Sequence, residues 1–409
     1  MKRVLYVMIA IVIILIFIVF GVREWIASND KKQINGNWTG AWNASMQAPY
    51  EDGISQKGFE NRTVRQIIHP HLDGKKMRIR LSNTFGKDPL SIEEIHVAVS
   101  KSGSEIVPGT DQQVTFGGDQ SVTIPPGKEK FSDPISFKVN RGKNLAVSLY
   151  VSDETGPATW HPHSMQTTYI SNGNHVSDAN TEAFKTNEEA WFWLAGVDVM
   201  PDPSVNGAIV VMGSSIANGN HSTVNANHRW PDYLAKRLKQ ENAATKMSVL
   251  NAGISANQLI NSEPDKGENA LARLERDVFS QTGVKAVILH QGLNDIRHHP
   301  DYGAEKIIER MKQIIKATHE QGLKIYGGTL TPFKDSGMYT EKGEKTRQEV
   351  NHWIRNKAEF DGVIDFDKAL RDPKDPKRYL SKYDAGDHLH PNDAGYKKMA
   401  EAIDLSSFK

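Results

Sequence analysis

Three short segments of this sequence carry side chains that together could move an acyl group. Gly213-Ser214-Ser215-Ile216-Ala217-Asn218-Gly219 offers hydroxyls, and Gly292-Leu293-Asn294-Asp295 offers a side-chain amide. Asp387-His388-Leu389-His390-Pro391-Asn392-Asp393 offers carboxylates and imidazoles. A serine hydroxyl becomes a useful nucleophile only when a neighbouring base takes its proton. Histidine does this near neutral pH, and a carboxylate orients the ring and stabilises the imidazolium. Asp387 and His390 stand three residues apart, so a single turn can bring carboxylate and imidazole together. The Asn294 amide, with backbone N–H groups, could bind a developing oxyanion, where one donor is worth about 3–4 kcal/mol. Taken singly, Gly-Ser-Ser is usually a loop and Gly-x-Asn-Asp a turn. Their occurrence together, in this order, points to acyl transfer.

Such groups need a scaffold, and from about Asn206 the sequence supplies one. Apolar runs suited to buried parallel strands occur at Ala208–Met212, Met247–Leu250, Ala286–Leu289, Ile325–Gly328 and Val363–Phe366. Amphipathic helix candidates lie near Trp230–Gln240, Glu268–Phe279, Ala304–Gln321 and Gly343–Phe360. A last helix is expected near Asp393–Leu405, with Asn392 as its N-cap. This order implies an α/β fold with a parallel sheet between two helical layers. Ligands in such sheets bind beyond the carboxyl ends of the strands, where the first two segments fall.

From about Asn37 to Gly196 the pattern is β. Apolar and polar residues alternate over Thr63–Ile68 and Met77–Ser82, the period of a half-buried strand. Ser121–Ile124 and Asn144–Val151 are further strand candidates, and a β-sandwich or jelly roll is expected. The prolines of Met200-Pro201-Asp202-Pro203-Ser204 separate the two patterns. The expected layout is a leader at 1–27, a tether at 28–36, a β domain at 37–200 and an α/β domain at 206–409.

The leader is read from Lys2 and Arg3, followed by an uncharged run from Val4 to Val22. Nineteen residues at ~1.5 Å each nearly span a hydrocarbon core of about 30 Å. A cleaved signal usually has a shorter apolar core, and Trp25-Ile26-Ala27 puts a bulky residue where a small one is wanted. A transmembrane anchor is therefore expected, with a cleaved signal as the alternative. Basic residues ahead of the run place the rest outside the cytoplasm. The formal charge of +1 among 409 residues gives no reason to expect nucleic acid. The absence of cysteine excludes disulfides, a thiol nucleophile and Cys-type zinc sites.

The C-terminal domain resembles the SGNH/GDSL hydrolases. They carry serine in a Gly-Asp-Ser block, a glycine in a second block, Asn in Gly-x-Asn-Asp, and Asp-x-x-His near the end. The resemblance covers Asn206 to about Leu405. It extends into the β region through Trp38-Thr39-Gly40-Ala41-Trp42 and Trp160-His161-Pro162, which are similar to a secreted subgroup often placed with carbohydrate esterases. It implies a three-layer α/β/α, flavodoxin-like sheet. It further implies Ser215 as nucleophile, His390 as base, Asp387 as its partner and Asn294 as oxyanion donor. The family's oxyanion hole also uses the serine's own N–H and the second-block glycine N–H. Counting five residues from Asn251 reaches Ala256 rather than glycine, with Gly253 as the fallback. Alanine can supply the same N–H where its φ is allowed. Ser214 stands where the family has Asp.

The resemblance thus implies a cofactor-free serine esterase acting on a small-molecule or polysaccharide ester. A non-catalytic cell-surface glycan-binding protein and a lipase or phospholipase are the alternatives. His69-Pro70-His71, His161-Pro162-His163 and His298-His299 lack the helical His-x-x-x-His spacing of a zinc hydrolase, so no catalytic metal is expected. Trp38, Trp42, Trp160, Trp191 and Trp193 are core residues or sugar-stacking platforms, with core the commoner fate.

Overall fold

Parallel strands buried on both faces are near-continuous runs of apolar residues, and five of them form the sheet that carries the site. A computed structural model describes residues 37–240 and 246–408. The strands are β1 (Val205–Gly213), β2 (Lys246–Gly253), β3 (Val284–His290), β4 (Lys324–Gly328) and β5 (Gly362–Ile364). Their order across the sheet is β2-β1-β3-β4-β5, all parallel. Strand order reverses at β1, which makes its carboxyl end the expected binding crevice. Helices α1 (Ser215–Asn218), α2 (Trp230–Gln240), α3 (Leu293–His298), α4 (Ala304–Glu320), α5 (Glu341–Asn356), α6 (Phe366–Leu370) and α7 (Asp393–Glu401) follow in chain order. Two apolar cores flank the sheet, one with Val210, Leu289, Ile314 and Val350, the other with Val211, Trp230, Phe366 and Tyr396. Asn392 caps α7, its Oδ1 accepting from Gly395 N at 3.0 Å.

One expected helix is largely absent. Over Glu268–Phe279 only a π-helical turn forms, at Glu275–Phe279. Ala270, Leu274 and Val278 are buried at four-residue spacing, which a wider turn also satisfies. The last strand is shorter than expected, because Phe366 begins α6 instead of ending β5.

The preceding region is mostly β. One antiparallel sheet runs Thr39–Asn43, Leu194–Val199, Met77–Ser82 and Glu129–Phe131, and a second is built around Arg62–Ile68 and Leu145–Val151. Residues of both sheets share one core. The alternating pattern anticipates half-buried strands, but Met77–Ser82 is buried throughout. Its arginines find partners inside the protein: Arg78 pairs with Asp198, and Arg80 Nη2 donates to Gln281 beyond β1 at 2.8 Å, although Arg80 Nε makes no hydrogen bond among the described residues. All five tryptophans named above are buried. The 1–27 segment and the 28–36 tether lie outside the described residues. Among the described residues no helix is long and apolar enough to cross a membrane.

Candidate active site

The carboxyl ends of β1, β2 and β3 lie side by side, with Gly213 in register with both Gly253 and His290. Each strand runs into a turn that presents one of the expected groups. After β1, Ser215 opens α1, and Ser215 Oγ lies 2.9 Å from His390 Nε2. His390 Nδ1 lies 2.6 Å from Asp387 Oδ2, while Asp387 Oδ1 accepts from the Leu389 and His390 N–H groups at 3.1 and 2.9 Å. A carboxylate can only accept, so Nδ1 carries the hydrogen and Nε2 is free to accept from the serine. Burial acts to raise the Asp387 carboxyl. The side-chain and backbone hydrogen bonds from His390 outweigh it and hold the group well below the usual carboxylate range.

The loop after β2 and the start of α3 carry buried polar groups. Asn294, in the first turn of α3, donates Nδ2–H to Asn257 O at 3.1 Å and accepts at Oδ1 from Arg297 Nη1 at 3.1 Å. These two partners fix which end of the amide is which, leaving one N–H of Nδ2 for a ligand. Ala256 has φ +59°, and its N–H makes no hydrogen bond among the described residues. Its neighbours are held on both sides, Ser255 Oγ by Asn218 of α1 and Asn257 O by Asn294 of α3. The fallback donor does not survive. Gly253 N–H is engaged with Asn251 Oδ1 at 3.0 Å. Gly253 is glycine for a different reason, because a Cβ there would sit 2.3 Å from Asn218 N.

Part of the chain is similar to known proteins. Residues 211–398 match the GDSL-like lipase/acylhydrolase family. Over that segment the chain is similar to a GDSL-like lipase/acylhydrolase domain. Similar solved structures include a protein described as a lipolytic member of the G-D-S-L family from Desulfitobacterium hafniense (19% identity, 49% of this chain and 97% of that one, TM-score 0.37). Others are a carbohydrate acetylesterase from Sinorhizobium meliloti (16%, 48% and 95%, TM-score 0.39) and a GDSL-like lipase from Bacteroides thetaiotaomicron (17%, 49% and 87%, TM-score 0.37). No curated protein matches.

Several residues around the site receive no catalytic role from the sequence. Arg273, fully buried, donates to Gly213 O and Ala252 O at the ends of β1 and β2 and pairs with Asp277. Asp295 accepts from Leu259 and Ile260 N–H, clamping the loop after β2 to α3, and burial raises its carboxyl to about 6. Asn218 fastens α1 to the β region, its Oδ1 lying 2.8 Å from His161 Nε2 and its Nδ2 donating to His163 O. His71, a second β-region histidine, reaches Asp232 of α2 and Val249 O of β2. Ser214, at the position of the family's Asp, makes no side-chain hydrogen bond among the described residues. His221 stacks on His390 with ring centroids 4.8 Å apart, and its Nε2 lies 3.4 Å from Asp387 Oδ2.

Proposed function

We propose that the GDSL-like domain is a carboxylic ester hydrolase with Ser215 as nucleophile, His390 as general base and Asp387 as its orienting partner. The observation that carries this reading is the continuous Ser215–His390–Asp387 relay, with links of 2.9 and 2.6 Å. Ser215 Oγ attacks the acyl carbon as its proton passes to His390 Nε2. The oxyanion is taken up by the Ser215 N–H, which as the first of α1 has no acceptor within the helix, and by Ala256 N–H and Asn294 Nδ2. The imidazolium, stabilised by Asp387, then protonates the departing alcohol. Water activated by the same ring releases the acid.

For the substrate we propose a short acyl group on a carbohydrate. The resemblance of the β region to carbohydrate-esterase relatives supports this reading. The apolar Val4–Val22 run behind Lys2 and Arg3 supports placement outside the cytoplasm, on a membrane anchor. A p-nitrophenyl ester series from acetyl to long-chain acyl, alongside acetylated oligosaccharides, tests the proposal. Turnover is expected to favour the shortest acyl group and to fall by ~10⁴-fold or more in Ser215→Ala. Turnover that persists in Ser215→Ala would remove the serine from the mechanism, and long-chain preference would point to a lipase.

A further inference from the structure

The hydrolytic scheme leaves His221 without a task, although its place is unusual. It sits three residues beyond α1 on a left-handed backbone, φ +66°, which for a non-glycine residue costs about 1–2 kcal/mol. Its side chain is about half exposed, at 48%. The ring lies nearly parallel to His390, at 19°, with Nε2 facing the same Asp387 Oδ2 that holds His390 Nδ1. One carboxylate oxygen therefore stands between two imidazoles. One donor atom from each of His221, Asp387 and His390 can be chosen so that all lie within 4.8 Å of one another.

We propose that these three residues form an inhibitory binding site for a divalent zinc-like cation. Two imidazole nitrogens and a carboxylate oxygen are a donor set that zinc uses, with a fourth position left to water. A tetrahedral ion at ~2.0–2.1 Å from each ligand draws them to about 3.3 Å from one another. His221 must tilt out of the stack to complete the site. As a half-exposed side chain whose ring contacts are the stack and a 3.4 Å approach to Asp387, it can do so. The ion reaches the cluster from the solvent side, where Asp387 is also one-third exposed.

The inhibition rests on the esterase reading given above, and its chemistry is simple. The ion takes the Nδ1 lone pair of neutral His390, and the hydrogen that sat there is relocated through solvent to Nε2. Waters leave the ion, the Asp387 oxygen exchanges a hydrogen bond for a metal bond, and no net proton is released. With a hydrogen on Nε2 the ring donates towards Ser215 Oγ and can no longer accept its proton. The nucleophile is silenced without being touched.

The test is calorimetric titration of the full chain with Zn²⁺ alone, paired with the visible absorption of the Co²⁺-loaded protein. One site is expected, with the intense absorption of tetrahedral cobalt. His221→Ala should weaken binding by about tenfold or more, since even outer-shell partners of a metal are worth ~10–100-fold. Scaled to its own metal-free turnover, the same variant should escape Zn²⁺ inhibition, and EDTA should reverse that inhibition in the wild type. Ser215→Ala should bind Zn²⁺ as the wild type does. Because calorimetry and cobalt absorption need no turnover, they decide the site even if no ester is hydrolysed. Undetectable binding, binding unchanged in both His221→Ala and His221→Gln, or binding lost in Ser215→Ala would each overturn the proposal.

Discussion

The two halves of the proposed site are built differently. On the base side, Asp387 and His390 sit on a loop, Asp387 is one-third exposed, and their geometry is set by a few short local hydrogen bonds. On the oxyanion side, Asn257, Arg273 and Asp295 are wholly buried, and their hydrogen bonds tie β1, β2 and α3 into one block. The difference teaches where chemistry and stability overlap. The Asp387 carboxylate keeps contact with solvent, while the His390 ring it holds is buried. Donors that must only stay still are locked in the core, where an unpaired polar group is costly.

The largest expected effect is on the base side. Asp387→Asn keeps the acceptor for the Leu389 and His390 N–H groups, but its amide would donate to His390 Nδ1 and force the wrong tautomer. We expect kcat to fall by ~10³–10⁴ with unfolding free energy lowered by no more than about 2 kcal/mol. Steady-state kinetics and urea titration read the two quantities. A large stability loss would break the contrast. On the oxyanion side Arg273→Met should do the reverse first, costing about 3–5 kcal/mol by stripping Gly213 O and Ala252 O of their donor and Asp277 of a partner. Denaturant unfolding checks this.

A third prediction uses pH. Burial lowers His290, at the end of β3, from its ordinary 6.5 to about 4, so the ring is neutral in the folded protein. Between those values the unfolded chain binds a proton that the native state refuses, so this contribution to stability is lost as pH falls. His290→Gln should shrink the stability difference between pH 7 and pH 5 by about 2 kcal/mol. His69, held near 4 largely by burial, adds a similar slope to both proteins and cancels in the difference. An unchanged difference in denaturant titrations at the two pH values would contradict the neutral ring. The smallest effect belongs to Ala256→Gly. It relieves a left-handed alanine, so stability should rise by about 1 kcal/mol while the N–H and the turnover remain, as thermal unfolding and kinetics would show.

The relay was legible because its chemistry needs particular side chains in recognisable blocks, and so was the alternation of buried strands and long helices. The short helices that carry Ser215 and Asn294 were not, since α1 and α3 are briefer than any window in which periodicity registers. Arg273 lay in a segment read as an ordinary amphipathic helix, and nothing in its neighbours signals a guanidinium aimed at strand carbonyls. His221 was one histidine among fifteen, six residues past the nucleophile, and only the backbone path brings it onto His390. Buried Arg78 and Arg80 imitated a solvent-facing alternation because charge satisfied inside looks the same in sequence as charge satisfied by water.

The relay itself is tested most directly by reacting the full chain with a fluorophosphonate probe and mapping the adduct by mass spectrometry. One adduct per chain on Ser215 is expected, absent in Ser215→Ala and strongly slowed in His390→Gln. An adduct on Ser214 or elsewhere, or labelling that persists in Ser215→Ala, would contradict the assignment.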